Sequence, residues 1–183
     1  MTDWNALFPV GHAFPERMAA LAAAAAAHLP GYGLTTPLRI AHFMGQAAHE
    51  TGGFVDMHEI WGPTVAQRGY ETRRDLGNCQ PGDGLRFRGR GLFQITGRDQ
   101  YARLSKRLDV DLIGNPELAE TPEIAVRTAG DYWATHGLGA LADADNGKAI
   151  TLRINGGLNG YADRINRTNA FKRALGILAE KVA

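Results

Sequence analysis

Apolar residues recur every three to four positions along most of this chain, in blocks separated by glycine-rich stretches. The first block, Pro15 to His28, is rich in alanine and predicts a helix that ends near Gly31. The second is better marked. Thr36 is a good N-cap, Pro37 suits the first helical position, and Ile40, Phe43, Met44 and Ala47 form one apolar stripe. Gly52 and Gly53 stop it. A shorter helix is expected from Pro63 to Arg74, followed by a turn-rich loop from Leu76 to Gly84. Phe87 to Thr96 reads as extended, a small hairpin-like element. Thr96 and Asp99 make a capping-box-like start for a helix through Leu108. Thr121, Pro122 and Glu123 open another, which ends at His136-Gly137, and Asn146 to Asn155 and Ala162 to Val182 complete the set. The pattern predicts a mainly α-helical fold with at most a small β element. It contains no repeat, no low-complexity linker and no second module.

Length and composition narrow this further. At 183 residues the chain is expected to form a single domain spanning 1–183, with room for two lobes around a buried core. The lone cysteine, Cys79, rules out an intrachain disulfide and fits folding in a reducing cytoplasm. The N-terminus lacks a basic n-region. The run Ala19 to Ala27 follows Glu16 and Arg17, so it reads as a helix and not as a signal sequence. No apolar run is long enough to span a bilayer. The expectation is cytoplasmic synthesis without a signal peptide, with holin-type release to any target outside the cell, and a monomeric state.

The net charge of +1 conceals an alternation. Residues 68–108 carry ten Lys/Arg against four acids, and residues 109–150 carry two against eight. Residues 151–183 return to six against two. Basic surfaces of this kind suit an anionic ligand, although solvated helix faces would give the same blocks. Nucleic acid is not indicated, because the basic residues belong to no recognised binding module.

The candidate chemistry lies in four segments. Ala47-Ala48-His49-Glu50-Thr51-Gly52-Gly53-Phe54 places one carboxylate at the end of a helical pattern, where the helix dipole disfavours negative charge, as suits a proton donor. Glu59, in Met57-His58-Glu59-Ile60-Trp61-Gly62, follows nine residues later. Two acids flanking a turn are what glycosidic hydrolysis needs: one protonates the leaving oxygen and the other activates water. The third segment is Phe87-Arg88-Gly89-Arg90-Gly91-Leu92-Phe93-Gln94-Ile95-Thr96-Gly97, in which Gln94 and Thr96 would share one side of an extended strand. The fourth is Arg153-Ile154-Asn155-Gly156-Gly157-Leu158, followed by Ala162-Asp163-Arg164-Ile165. Structural roles compete at each: Glu50 could pair with Arg90, Asn155 could serve only as a helix end, and Arg164 could be a plain ion-pair partner. Trp61, Tyr70 and Tyr101 could stack on sugar rings or simply pack.

These segments resemble glycoside hydrolase family 19, the chitinase and phage-endolysin family, in order over roughly residues 40–176. The family's His-Glu-(Ser/Thr)-Gly-Gly block falls at 49–53, its Gly-Arg-Gly-x-x-Gln-(Leu/Ile)-(Ser/Thr)-Gly block at 89–97, and Asn-Pro-(Asp/Glu)-Leu at 115–118. Ile-Asn-Gly-Gly lies at 154–157 and Ala-Asp-Arg-Ile at 162–165. The resemblance implies a two-lobed, lysozyme-like helical fold with a sugar-binding cleft, and single-displacement hydrolysis with inversion. By position, Glu50 would be the general acid and Glu59 the general base, with carboxyl groups roughly 6.5–9.5 Å apart. Gln94 and Thr96 would help orient the water and bind sugar, and Asn155 and Arg164 match further cleft positions. Two departures stand out. Gln100 occupies a position that is often Asn. The segment Ile60-Trp61-Gly62-Pro63 departs from the more usual continuation, which makes Glu71 a rival for the base.

The expected activity is therefore a peptidoglycan-cleaving muramidase of the endolysin type, acting on β-1,4 bonds between N-acetylmuramic acid and N-acetylglucosamine, without a cofactor or metal. A chitinase on the same scaffold is the alternative. A zinc cell-wall amidase using His42, His49 and His58 is a distant one, since the chain has no His-Glu-x-x-His.

Overall fold

The structure, a computed structural model, describes residues 2–179. Its helices are α1 (Trp4–Leu7), α2 (Pro15–His28), α3 (Pro37–Glu50), α4 (Val65–Arg68) and α5 (Asp83–Arg86), then α6 (Arg98–Leu108), α7 (Pro122–Thr135), α8 (Leu138–Asp143), α9 (Gly147–Asn155) and α10 (Tyr161–Ala174). Among the described residues there is no β-sheet. Two isolated antiparallel bridges, His58 with Arg90 and Arg90 with Ile95, are the β element.

Local signals account for the long helices. The Thr36 hydroxyl accepts from Arg39 N and caps α3, and Asn146 caps α9 in the same way through Ala149 N. Ile40 to Ala48 are all buried, so α3 runs through the centre of the molecule. It lies along α10 at very short range: a Cβ placed on Gly45 would sit 2.7 Å from the Thr168 Cα. The main core gathers Trp4, Leu21, Phe43, Met44, Trp133 and Phe171, each contributing about 1.5–3 kcal/mol by burial. A second, smaller core holds Phe87, Ile95, Tyr101, Leu104, Leu108 and Ile124. These two cores are the two lobes. The 89–97 segment joins them, with Leu92 in the larger core and Ile95 in the smaller.

Several segments differ from the sequence reading. Of 63–74 only the single turn α4 is helical; a Thr64–Gln67 capping box opens it, and Thr72 (φ 61°) takes a left-handed conformation soon after. The loop 76–84 runs into α5, which begins at Asp83. Residues 87–96 are not extended throughout: the chain turns back through Gly91 and Gln94, both at positive φ, and closes a minimal hairpin-like pair in which Arg90 and Ile95 exchange both backbone hydrogen bonds. α6 starts at Arg98 with Gly97 (φ 90°) at its N-cap. The Thr96 hydroxyl instead donates to Gln94 O, and Thr96 N donates to Gln100 Oε1. Helix α8 follows Gly137 directly where a connection was expected. α10 ends at Ala174, and the remainder of the expected helix to Val182 passes partly outside the described residues.

Candidate active site

Glu50 is the last residue of α3, and its Oε1 lies 2.6 Å from Arg164 Nη2. Arg164 comes from α10 and is 2% exposed, so its charge is held away from water. Its Nη1 donates to Gln46 Oε1 at 2.7 Å, one helical turn before Glu50, and Gln46 Nε2 donates to the Thr151 hydroxyl at 3.3 Å. The carboxylate at a helix C-terminus is thus met by a buried cation fixed by a second residue of the same helix. Glu50 pairs with Arg164 and not with Arg90. Among the described residues, Glu50 Oε2 receives no hydrogen bond. Alongside this pair runs a second one of the same two helices, His49 Nδ1 to Asp163 Oδ2 at 2.6 Å. Burial raises the Asp163 carboxyl, but His49 and Arg167 outweigh it and hold the group below its usual value.

Glu59 sits in a different frame. Its backbone N donates to Gly89 O at 2.8 Å, and its Oε1 accepts from Gln67 Nε2 at 3.1 Å. Gln67 is buried and ties the whole 59–64 loop: Nε2 also donates to Ile60 O, while Oε1 accepts from Gly62 N and Thr64 N. Gly89 N lies 3.4 Å from Glu59 Oε2. A Cβ on Gly89 would be 2.7 Å from Gln94 Oε1 and 3.4 Å from the Thr96 hydroxyl. Glu59, Gln94 and Thr96 therefore converge on one glycine, whose lack of a side chain leaves the space between them. Burial pushes the Tyr70 phenol up, and the Glu59 carboxylate beside it pushes it further. Trp61 and Tyr70 form a tilted pair with centroids 6.2 Å apart. This half-buried aromatic pair adjoins Glu59, whereas Tyr101 is fully buried in the smaller core and offers no sugar platform.

The other residues singled out from sequence have distinct placements. Both Glu71 oxygens are engaged, with Gly82 N at 2.6 Å and Gly84 N at 2.9 Å, so this acid closes the 71–84 loop. Asn155 is exposed at the end of α9, ahead of Gly156 (φ 71°). Arg90 is 1% exposed and binds Glu120 Oε1 at 2.7 Å. Burial opposes its charge, but Tyr101 and Glu120 overcome that and hold it cationic. The histidines considered as zinc ligands each meet a different carboxylate, His42 with Asp145, His49 with Asp163 and His58 with Glu120. Among the described residues no three His, Cys, Asp or Glu side chains gather as a metal set.

Three participants escaped the sequence reading. Gln46 was readable as the residue four before Glu50 on the same helical face. Gln67 was readable as the fourth residue of a Thr-x-x-Gln capping box. Tyr132 carried no local signal. Burial raises its phenol, Arg153 opposes that and Glu50 adds to it, so Tyr132 lies in the field of both. Its ring also packs edge-on against Phe93, 5.8 Å away, beside Gln94.

Comparisons with known proteins give the family and the fold. Residues 11–141 match the family model for glycoside hydrolase family 19, chitinase class I. A Haemophilus influenzae protein named for its glycosyl hydrolase family 19 domain is 32% identical over 82% of this chain and 87% of its own length. An endochitinase of Arabidopsis thaliana is 32% identical over 85% of this chain but 57% of its own, so the chain spans little more than half of that plant enzyme. Among solved structures, a bacterial family 19 chitinase superposes with a TM-score of 0.70 at 26% identity, covering 96% of this chain and 95% of that one. Chitinase C of Streptomyces griseus has the same fold, with a TM-score of 0.75 at 22% identity over 98% of this chain and 77% of its own. Among the described residues no helix is long and apolar enough to cross a membrane.

Proposed function

This chain belongs to glycoside hydrolase family 19, and from that premise we propose that it hydrolyses β-1,4 bonds of N-acetylglucosamine polymers, chitin first, by single displacement with inversion. The observation that carries the reading is the pair of carboxylates held in two separate polar frames, Glu50 by Arg164 and Glu59 by Gln67. Arg164 holds Glu50 Oε1 and fixes the carboxyl plane, which leaves Oε2 to carry the proton to the leaving oxygen. Glu59, beside Gly89, takes a proton from a water on the opposite face of the sugar. Gln94 and Thr96 supply polar atoms next to that water, and the Trp61–Tyr70 pair offers an aromatic wall for the chain. Glu71, with both oxygens committed to backbone amides, is the weaker candidate for the base.

The test is the anomeric form of the first product. Proton NMR during hydrolysis of chitin hexamer is expected to show the α-anomer first, with the β form appearing only by mutarotation. Initial release of the β-anomer would overturn single displacement.

Peptidoglycan, cleaved as by an endolysin, is the second reading. Its support is the excess of basic residues in 68–108, the segment that carries Gln94 and Thr96. The products of sacculi digestion decide it: fragments ending in reducing N-acetylmuramic acid are required.

A further inference from the structure

Glu59 has a second support, on the face turned away from Gln94 and Thr96. Residues 57–59 and 89–91 run antiparallel as a short ladder. Glu59 N donates to Gly89 O at 2.8 Å and Gly91 N to Met57 O at 2.8 Å, with His58 opposite Arg90 between them. Successive residues of an extended pair point to opposite faces. The rung of Glu59 and Gly89 faces Gln94 and Thr96, which a Cβ on Gly89 would meet. The rung of His58 and Arg90 faces the other way. It is bracketed by the two ladder bonds and makes none across itself, the arrangement in which opposed side chains stand closest.

Both side chains of that back rung end on one carboxylate. His58 Nδ1 donates to Glu120 Oε2 at 2.9 Å, and Arg90 Nε donates to Glu120 Oε1 at 2.7 Å. The two arms are unlike. Arg90 is buried and fixed at its other end as well, with Nη1 donating to Arg86 O at 2.8 Å and to the Tyr101 hydroxyl at 3.0 Å. His58 is exposed, and among the described residues Glu120 is its one side-chain partner. Glu120 is itself anchored. It ends the 3-10 turn Pro116–Glu120, whose Pro116 and Ala119 are buried, Ala119 in the smaller core. The ladder lies directly on this turn: a Cβ on Gly91 would sit 3.1 Å from Ala119 O. Two backbone bonds in an isolated pair are marginal by themselves, so a carboxylate that grips both strands supplies what the ladder lacks. Glu59 is tied in front by Gln67, at its carboxylate, and behind by Glu120, through the residue before it.

We propose that Glu120 is a positioning residue for the general base: it clasps His58 and Arg90 together, fixes the ladder on the smaller lobe and so sets where Glu59 meets the attacking water. The inference rests on Glu59 acting as that base. Glu120 works through the two strands, without contact to the polymer and with no part in bond cleavage.

The experiment measures kcat and KM on chitin hexamer, and the melting temperature, for wild type, His58→Ala, Glu120→Asp, the two combined, and Glu59→Gln. His58→Ala removes the exposed arm and leaves the Arg90–Glu120 pair in place. Glu120→Asp keeps the charge that Arg90 requires but is one methylene too short to reach both arms. Each single variant is expected to lower kcat about tenfold, the scale of a displaced catalytic group, with KM within about twofold of wild type. The melting temperature of His58→Ala should stay within about 3 °C of wild type, as for other exposed positions. The combined variant should lose no more than about twofold beyond either single one, because both break the same clasp. The inference is overturned if either single variant keeps kcat within about twofold of wild type, if KM rises as much as kcat falls, or if the two losses multiply. It is equally overturned if the loss in His58→Ala comes with a melting temperature lowered beyond about 3 °C, the mark of a purely structural role. Glu59→Gln separates the clasp from the base. Activity lost there but kept in the clasp variants overturns the clasp alone and leaves the proposed function standing. Wild-type kcat in Glu59→Gln removes Glu59 as the base and the inference with it, and a wild type inactive on the hexamer overturns the proposed function itself.

Discussion

Arg164 touches Glu50 with one guanidinium nitrogen and Gln46 with the other, so it orients an acid and closes a buried network in one side chain. Different substitutions separate the two tasks. Glu50→Gln keeps the size of the side chain and an oxygen for Arg164, but it loses the acid. Its kcat on chitin hexamer should fall by about 10³-fold with a melting temperature within about 2 °C of wild type. A variant retaining a tenth of the rate would remove Glu50 from the chemistry. Arg164→Ala leaves Gln46 Oε1 buried without its donor and Glu50 without its cation, and should cost about 3 kcal/mol of stability in denaturant unfolding. Gln67→Ala acts on the other frame. It frees Glu59 and releases three further hydrogen bonds of the 59–64 loop, those to Ile60 O, Gly62 N and Thr64 N. The kcat should fall by about 10- to 100-fold, since positioning of the base is lost while its carboxylate remains. An unchanged kcat would show that Glu59 needs no such support.

The helices meet where side chains are smallest, and this explains what a mid-helix glycine does in α3. Gly45 on propensity alone costs about 1 kcal/mol relative to alanine. Its position explains its presence: a Cβ would meet the Thr168 hydroxyl and backbone of α10. Gly45→Ala should therefore destabilise by about 2 kcal/mol, against the propensity gain, and lower kcat by moving Arg164 relative to Glu50. A stabilised variant would refute the close approach. The elements legible in the sequence share one property: their ends and stripes are local. Thr36 and Pro37 open α3, Asn146 caps α9, and Pro122 opens α7. The elements that were not legible depend on distant partners. Residues 71–84 are shaped by Glu71 reaching Gly82 and Gly84, and by Asp83 pairing with Arg98. Residues 87–96 are shaped by Arg90 reaching Glu120. Spacing along the chain carries no trace of such contacts. The same holds at the site. Glu50, Glu59, Gln94 and Thr96 stand out as motif residues, and Gln46 shares a helical face with Glu50, but its bond to Arg164 and the place of Tyr132 arise only when α3, α7 and α10 assemble.

Across the whole molecule, buried and paired charges determine how stability responds to pH. His42 is 1% exposed in α3, and its Nε2 donates to Asp145 Oδ1 at 2.7 Å. Nδ1, the atom that must accept a proton when the ring charges, is buried without a partner. Burial therefore lowers the His42 pKa below 6.5, and Asp145 offsets this only in part, with Lys172 opposing the charge as well. The unfolded chain binds this proton more readily than the fold, so stability is full above about pH 6.5 and declines as pH falls through that value toward the folded pKa. The carboxylates add a second, more acidic limb. Arg98 holds Asp83 below 3.8, where burial alone would raise it, and Asp145 and Asp163 are depressed by their own partners despite burial. Their contribution is present above about pH 4 and is lost as pH falls through their folded values. Thermal unfolding from pH 8 to pH 3 should thus show two descents. His42→Gln should erase the first and leave the second, and Asp83→Asn should lower the melting temperature at neutral pH and shrink the acid limb. A wild-type melting temperature constant from pH 7 to pH 5 would contradict the burial argument for His42. Because His42 lies about two turns before Glu50 along α3 and is tied to Asp145 and not to the acid pair, the test has a further use. Activity measured at temperatures below the first descent should carry no step from His42, so any pH dependence of kcat seen there belongs to the acid pair and its frames.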